Sequence, residues 1–147
     1  MNISFRKYDF KIHRQDDQIF IFDEVRKKNV ILTPEEWVRQ NFIHYLIEDL
    51  RYPRSKIAVE KEFNLNGLKK RFDLLVFDRA TKPFLLIECK AQSEALNEKV
   101  LKQCLDYNLK FGVPFFCISN GDFTHAWHVL SGKVSILKAF PAYIDKE

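Results

Sequence analysis

Glycine is scarce. Four glycines stand against fourteen phenylalanines in 147 residues, a balance that argues for a compact, sheet-containing core and against a flexible chain. Cysteine is scarcer. Cys89, Cys104 and Cys117 form an odd set with no C-x-x-C pair, which excludes the usual zinc-ribbon spacings and suits a reduced, cytoplasmic protein. There is no G-x-x-x-x-G-K-[ST] loop, no G-x-G-x-x-G and no G-x-S-x-G, so ATPase, dinucleotide-dependent and α/β-hydrolase readings have no footing. The longest apolar run, Val113 to Ile118, is far too short to span a bilayer. The start MNISFRKYDF carries charges where a secretory signal needs an apolar stretch. No membrane partner is expected. Internal repeats, low-complexity tracts and Ser/Gly/Pro-rich linkers are also missing.

What is present bounds the rest. The length matches the ~150 residues expected of one domain, which would bury roughly 70% of its unfolded surface. Hydrophobic residues at 46% and charged residues at 30% exclude global disorder. The net charge of +4 permits a nucleic-acid partner without demanding one.

Pattern predicts a single domain over residues 1–147, with a small antiparallel β appendage over 1–32 and a core over 33–137. Residues 3–12 alternate like a strand through Tyr8, Phe10 and Ile12, a polar turn follows, and short strands run over 19–22 and 25–32. Thr33-Pro34-Glu35-Glu36 opens a helix, with Thr33 as N-cap, Pro34 at the first position and Glu36 closing a capping box. The helix is expected to reach Leu50, burying Val38, Phe42, Ile43, Leu46, Ile47 and Leu50. Strands are expected over 57–65, 68–78 and 84–90, the first two joined by an Asn66-Gly67 hairpin turn. Ser93 caps a second helix over 94–109. Strands over 115–119, 124–130 and 134–137 follow. The core order α-β-β-β-α-β-β implies an α/β fold, a central mixed sheet flanked by helices.

The informative segment is Arg71-Phe72-Asp73-Leu74-Leu75-Val76-Phe77 followed by Phe84-Leu85-Leu86-Ile87-Glu88-Cys89-Lys90. A loop symmetric about residues 79–82 makes paired numbers sum to 161. Asp73 then falls opposite Glu88, and Arg71 opposite Lys90, with Cβ atoms ~5 Å apart. Phe72, Leu74, Val76, Leu85, Ile87 and Cys89 form one apolar face. The other carries Leu75, Phe77, Phe84 and Leu86, then Asp73, Glu88 and Lys90 at one end. Two facing carboxylates in a sheet covered on both sides are costly. Either one is protonated or something positive sits there, and a divalent cation with oxygen ligands resolves the cost. Asp73 and Glu88, helped by the Cys89 carbonyl, would hold Mg²⁺ beside a scissile phosphate. Lys90 would orient the attacking water and stabilise charge in the transition state. The bland alternative is a Glu88–Lys90 salt bridge at a strand end and an ordinary hairpin Asp.

Asp73…Glu88-Cys89-Lys90 on the second and third strands of an αβββαβ series resembles the PD-(D/E)xK nuclease superfamily and the restriction-endonuclease-like fold. The pattern Thr33-Pro34-Glu35-Glu36-Trp37-Val38-Arg39-Gln40, with Gln103…Tyr107 and Asn120-Gly121, is most similar to the amino-terminal nuclease domain of type I restriction enzyme R subunits, over roughly residues 30–130. Phe72 stands where the naming Pro would be. The resemblance implies a Mg²⁺-dependent DNA endonuclease of restriction or DNA-processing type, with Mn²⁺ as a substitute ion and restriction-modification subunits as partners. It implies Mg²⁺ binding by Asp73 and Glu88 and a catalytic Lys90. R subunits carry an ATP-driven translocase after this domain, so a chain ending at Glu147 is expected to be a stand-alone domain, a piece of a larger complex or a degenerate copy.

Further roles follow from the resemblance. Gln103 and Tyr107, an i, i+4 pair on the stripe of Leu96 and Val100, would face inward, Gln103 beside the metal ligands and Tyr107 supporting the site or the DNA. Glu36 would complete the metal shell, or else only close the capping box. Position, not the resemblance, suggests nucleic-acid contacts for Lys69, Lys70 and Arg71, which precede Asp73 on its strand, with a solvated charged face as the alternative. Cutting both strands of a duplex favours a homodimer, although the sequence leaves oligomeric state open. The rival functions are a catalytically inactive DNA-binding or assembly module of the same fold, and a structural α/β domain whose charged trio is incidental.

Overall fold

The computed structural model describes residue 3 and residues 5–143. A three-stranded antiparallel sheet comes first: β1 (Ile12–Gln15), β2 (Gln18–Asp23) and β3 (Lys28–Ile31), in that order. The strand expected over 3–12 is not formed: residues 5–11 are irregular and β1 starts at Ile12, while residue 4 lies outside the described residues. Tyr8 and Phe10 instead pack on His44, and Phe10 on Trp37.

Helix α1 (Pro34–His44) is capped as expected, the Thr33 hydroxyl accepting from the Glu36 N–H at 3.0 Å. Beyond His44 the chain makes one π-helical turn, Tyr45–Asp49, rather than continuing as α-helix to Leu50. The wider turn rotates the apolar stripe. Val38, Phe42, Ile43 and Leu46 are buried, whereas Ile47 and Leu50 are half-buried.

The main sheet has six strands in sequential order: β4 (Ile57–Leu65), β5 (Leu68–Phe77), β6 (Pro83–Cys89), β7 (Phe115–Ser119), β8 (Thr124–Leu130) and β9 (Lys133–Ile136). Only β6 and β7 are parallel, so the sheet is mixed. The parallel step needs a crossover, supplied by α2 (Glu98–Asn108). One face of the sheet, with Val59, Leu74, Val76, Leu85, Ile87 and Cys117, packs on α1. The other, with Ala58, Leu75, Leu86, Phe116 and Ile118, packs on Leu101, Cys104 and Leu105 of α2. Asn120-Gly121 turns the chain between β7 and β8. Gly121 has φ +92°, and a Cβ there would come within 3.3 Å of Val38 Cγ2, so this turn requires glycine. Among the described residues no helix is long and apolar enough to cross a membrane.

Two expectations about strand faces fail, and the reason is local. The β4–β5 ladder pairs Val59 with Leu74 and Lys61 with Phe72, leaving Glu60 and Asp73 unpaired between them. Glu60 has φ +54°, a left-handed conformation that costs a non-glycine residue free energy. Both strands turn over at this point. Phe72 therefore packs with Leu75, Leu86 and Phe111 rather than with Leu74 and Val76. Phe84 likewise joins the α1-side cluster, next to the register shift at Val76/Phe77.

The appendage is fastened to α1 through Asp23, which is fully buried. Its Oδ1 accepts from the Val25 and Arg26 N–H groups at 2.8 and 2.7 Å, and its Oδ2 from Arg26 Nε and Gln40 Nε2, both at 2.8 Å. Burial alone would raise the Asp23 pKa, but the Arg26 and Gln40 hydrogen bonds outweigh it and hold the carboxyl below its usual 3.8. A depressed folded pKa means stability that is complete above the unfolded value and lost as pH falls through the folded one. Asp23→Asn should destabilise the fold at pH 7 by ~1–3 kcal/mol. It should also reduce the loss of stability between pH 7 and pH 3, measured by urea unfolding. An unchanged acid limb would refute the assignment.

Candidate metal centre and active site

The middle of β5 and the end of β6 border a cavity of about 330 Å³ lined by Glu35, Lys70, Arg71, Asp73, Glu88, Cys89, Lys90 and Asn108. The predicted register holds at Leu74–Ile87, Leu75–Leu86 and Val76–Leu85, but the ladder stops one step short of Asp73 and Glu88. The two carboxylates are not a directly bonded cross-strand pair. Asp73 Oδ2 accepts from the Cys89 N–H at 2.8 Å, and Oδ1 accepts from Arg39 Nη2 at 3.0 Å. Glu88 is met by Lys90 Nζ at 3.4 Å, by Lys70 Nζ at 3.6 Å and by the Cys104 thiol, which donates at 3.5 Å. Asp73 is thus engaged from α1 and β6, and Glu88 from β5 and α2, on one shared cavity. In an extended strand a residue's N–H and C=O leave on the same edge. The Cys89 carbonyl therefore lies on the β5 side of β6, the side of Asp73.

Lys90 follows the last residue of β6, and its N–H donates to Ser119 O at 2.8 Å. Burial works to lower its pKa, but the Glu88 charge and hydrogen bond overcome that and the net direction is upward. It is a held ammonium at neutral pH. Arg71, expected opposite Lys90, has no partner in the β5–β6 ladder, which begins only at Leu74–Ile87 with β6 ending at Cys89; on its other edge it faces Glu62 of β4. Burial and then the Glu88 carboxylate push the Cys104 thiol up to about 11. The thiol stays protonated and is no nucleophile.

Arg39 was not expected here. Its side chain is 3% exposed. Nη2 reaches Glu60 Oε1 at 2.7 Å, Asp73 Oδ1 at 3.0 Å and Glu35 Oε2 at 3.1 Å, while Nη1 donates to Glu36 Oε1 at 2.6 Å. Burial opposes the charge, and the Glu36 and Asp73 carboxylates outweigh it, so the guanidinium is held more firmly protonated. Oxygens of Glu35, Glu60 and Asp73 lie within 4.8 Å of one another. Burial and the Asp73 charge raise the Glu35 pKa.

Glu36 does not face the cavity. Its other oxygen is taken by Arg26 Nη2 at 2.9 Å and Gln40 Nε2 at 3.1 Å, so it joins the appendage to α1, and Glu35 is the helix carboxylate on the cavity wall. Only half of the expected capping box is made: Thr33 caps, but Glu36 turns to Arg26, Arg39 and Gln40. Gln103 and Tyr107 are also displaced. Helix α2 begins at Glu98, capped by Asn97 rather than Ser93, and its inward stripe is Leu101, Cys104, Leu105 and Asn108. Gln103 is exposed and Tyr107 is 45% exposed, stacked on Lys70 at 4.7 Å. Asn108 is the α2 residue on the cavity wall; it is buried, with Oδ1 lacking a partner among the described residues.

Of the three basic residues before Asp73, Lys70 turns inward to Glu88, and Lys69 and Arg71 are exposed. Arg71 also borders a second cavity of about 440 Å³, lined with Arg26, Lys28, Glu60 and Lys61 between the appendage and the β4–β5 hairpin.

Five carboxylates (Asp23, Glu35, Glu36, Glu60 and Asp73) are tied together by two guanidiniums, Arg26 and Arg39. Three of them, Glu35, Glu60 and Asp73, converge on one guanidinium nitrogen, Arg39 Nη2, and an oxygen-only donor set suits a hard divalent cation such as Mg²⁺. A family model described as type I restriction enzyme R protein N terminus matches residues 34–141. No curated protein matches the chain.

Proposed function

The chain belongs to the type I restriction enzyme R protein N-terminal family, and from that premise we propose that it is a Mg²⁺-dependent deoxyribonuclease domain of the PD-(D/E)xK kind. The observation that carries this is one cavity bordered at once by Asp73, Glu88, Lys90 and the α1 carboxylate Glu35. Asp73, Glu88, the Cys89 carbonyl and Glu35 would hold the ion, with Mn²⁺ as a substitute. When bound, Mg²⁺ would polarise the scissile phosphate and acidify a water.

The chain's own residues supply the rest. Lys90 holds a charged ammonium beside Glu88, where it orients the attacking water and stabilises the charge that grows on the phosphoryl oxygens. Arg71, with Lys61 and Lys28 around the neighbouring cavity, would follow the phosphates of the DNA strand leaving the site. Lys69 lies on the same exposed stretch of β5. Partners of the family's restriction-modification kind are DNA and companion subunits.

A non-catalytic module of the same fold is the second reading. It is favoured by the cations that already neutralise Glu88 and Asp73 without an ion, and by the exposure of Gln103 and Tyr107.

Metal titration separates the two. Millimolar Mg²⁺ or Mn²⁺ at 100 times its Kd should stabilise the protein by ~2.7 kcal/mol, visible as a rise in Tm. The same ions should switch on cleavage of duplex DNA. No thermal response and no cleavage would leave the binding module standing.

A further inference from the structure

We infer that Arg39 is a built-in counter-ion that metal binding must displace, and that it sets the affinity of the site for the divalent cation. This rests on the metal-dependent reading above and adds to it a residue that no metal ligand set contains. One nitrogen, Arg39 Nη2, sits within 3.1 Å of oxygens from Glu35, Glu60 and Asp73. Those are the three groups whose oxygens converge within 4.8 Å. An NH₂ group has two hydrogens and cannot satisfy three carboxylates at once. It occupies the place of a cation without supplying enough charge or enough bonds.

The surroundings explain why the residue is there. Without an ion, three converging, half-buried carboxylates repel one another, and such a like-charge cluster favours protonation of one of them. Arg39 prevents this. Its other terminal nitrogen, Nη1, is held by Glu36 at 2.6 Å, so Nη2 can leave the cluster while the guanidinium stays paired. Glu60 contributes the shortest of the three Nη2 contacts from a left-handed backbone that opens the β4–β5 ladder opposite Asp73. That strained residue delivers its carboxylate to Arg39. A cation arriving at Asp73 must compete with a guanidinium already bonded to the same oxygen.

The competition has a signature that a purely structural role would lack. Arg39→Met should bind Mn²⁺ at least ten-fold more tightly than wild type, measured by calorimetry in the absence of DNA. A tenfold change corresponds to about 1.4 kcal/mol. The variant should also melt at lower temperature without metal and recover with it. Because losing Arg39 leaves Glu36 buried and half-paired, Arg39→Met combined with Glu36→Gln provides a second variant that is relieved of that charge, with the same tightening expected. In wild type, adding Mn²⁺'s diamagnetic counterpart Mg²⁺ should shift the Arg39 side-chain NMR signals. Unchanged or weaker metal binding in both variants would overturn the inference, since it would make Arg39 an organiser of the ligands or a bystander. If wild type itself bound no metal, the functional reading would fall instead, so the two failures are distinguishable.

Discussion

Asp73→Asn is expected to lose metal binding and DNA cleavage together while the protein stays folded. Asn is isosteric and keeps an oxygen to accept from the Cys89 N–H, which Asp73 now receives at 2.8 Å. What is lost is the charge and the second acceptor, the oxygen that now accepts from Arg39 Nη2 at 3.0 Å. Asp73 is the carboxylate that joins the two halves of the site: it touches Arg39 from α1 and the backbone of β6. Mn²⁺ affinity should fall by at least ~100-fold, the upper end of what even an outer-shell partner costs, and cleavage should drop to background. Another member of the cluster gives a control. Asp23→Asn should weaken the appendage contact to Arg26 and Gln40 but leave metal affinity within about three-fold, because Asp23 touches neither Arg39 nor the cavity. Calorimetry with Mn²⁺ and a plasmid-cleavage assay check both variants. An Asp73→Asn protein that still shows metal-dependent stabilisation would remove Asp73 from the ligand set and the nuclease reading with it.

Much of this site is legible in the chain. Alternation in 57–65 and 68–77, with Asn66-Gly67 between them, specifies the hairpin, and the symmetric loop specifies the register that Leu74, Leu75 and Val76 keep with Leu86 and its neighbours. The Thr33-Pro34 start of α1 is legible for the same local reasons. The failures share a cause, in that each depends on a choice made by tertiary contacts. Ser93 and Asn97 are both competent caps, and the helix starts at Asn97. The Glu94 N–H instead closes a turn with Ala91 O, and Glu94 O accepts from the buried Asn120 side chain. The late start takes Leu96 out of the helix, and the face that packs on the sheet is centred on Leu101, Cys104, Leu105 and Asn108, which leaves Gln103 and Tyr107 beside it. No residue pattern announces a left-handed Glu60, so the turnover of β4 and β5 that separates Phe72 from Leu74 is invisible to alternation. Arg39 did carry a signal. It lies three and four residues before Phe42 and Ile43, on the buried side of α1, and a charged residue there requires partners.

Removing the Lys90 ammonium tests the chemistry itself. Lys90→Ala should retain metal binding and the fold yet lower kcat by ~10²–10³-fold, the usual cost of deleting one preorganised group that stabilises transition-state charge. The neighbours make this a clean experiment. Glu88 is not stranded in the variant, because Lys70 remains 3.6 Å from its other oxygen. The Lys90 N–H bond to Ser119 O is a backbone bond and survives. Metal affinity should therefore change by no more than a few-fold, and any change should be a tightening, since a competing cation has gone. If Lys90 were only the partner of Glu88 at a strand end, the opposite pattern would follow: metal binding would shift and cleavage would continue. Lys90→Arg sharpens the contrast. A planar guanidinium restores the charge but not the compact three-donor geometry of an ammonium, so it should restore less than a tenth of the lost rate. Full activity in either variant, measured by single-turnover cleavage at saturating Mg²⁺, would assign the water-orienting role to another residue of the cavity, with Lys70 the first to substitute.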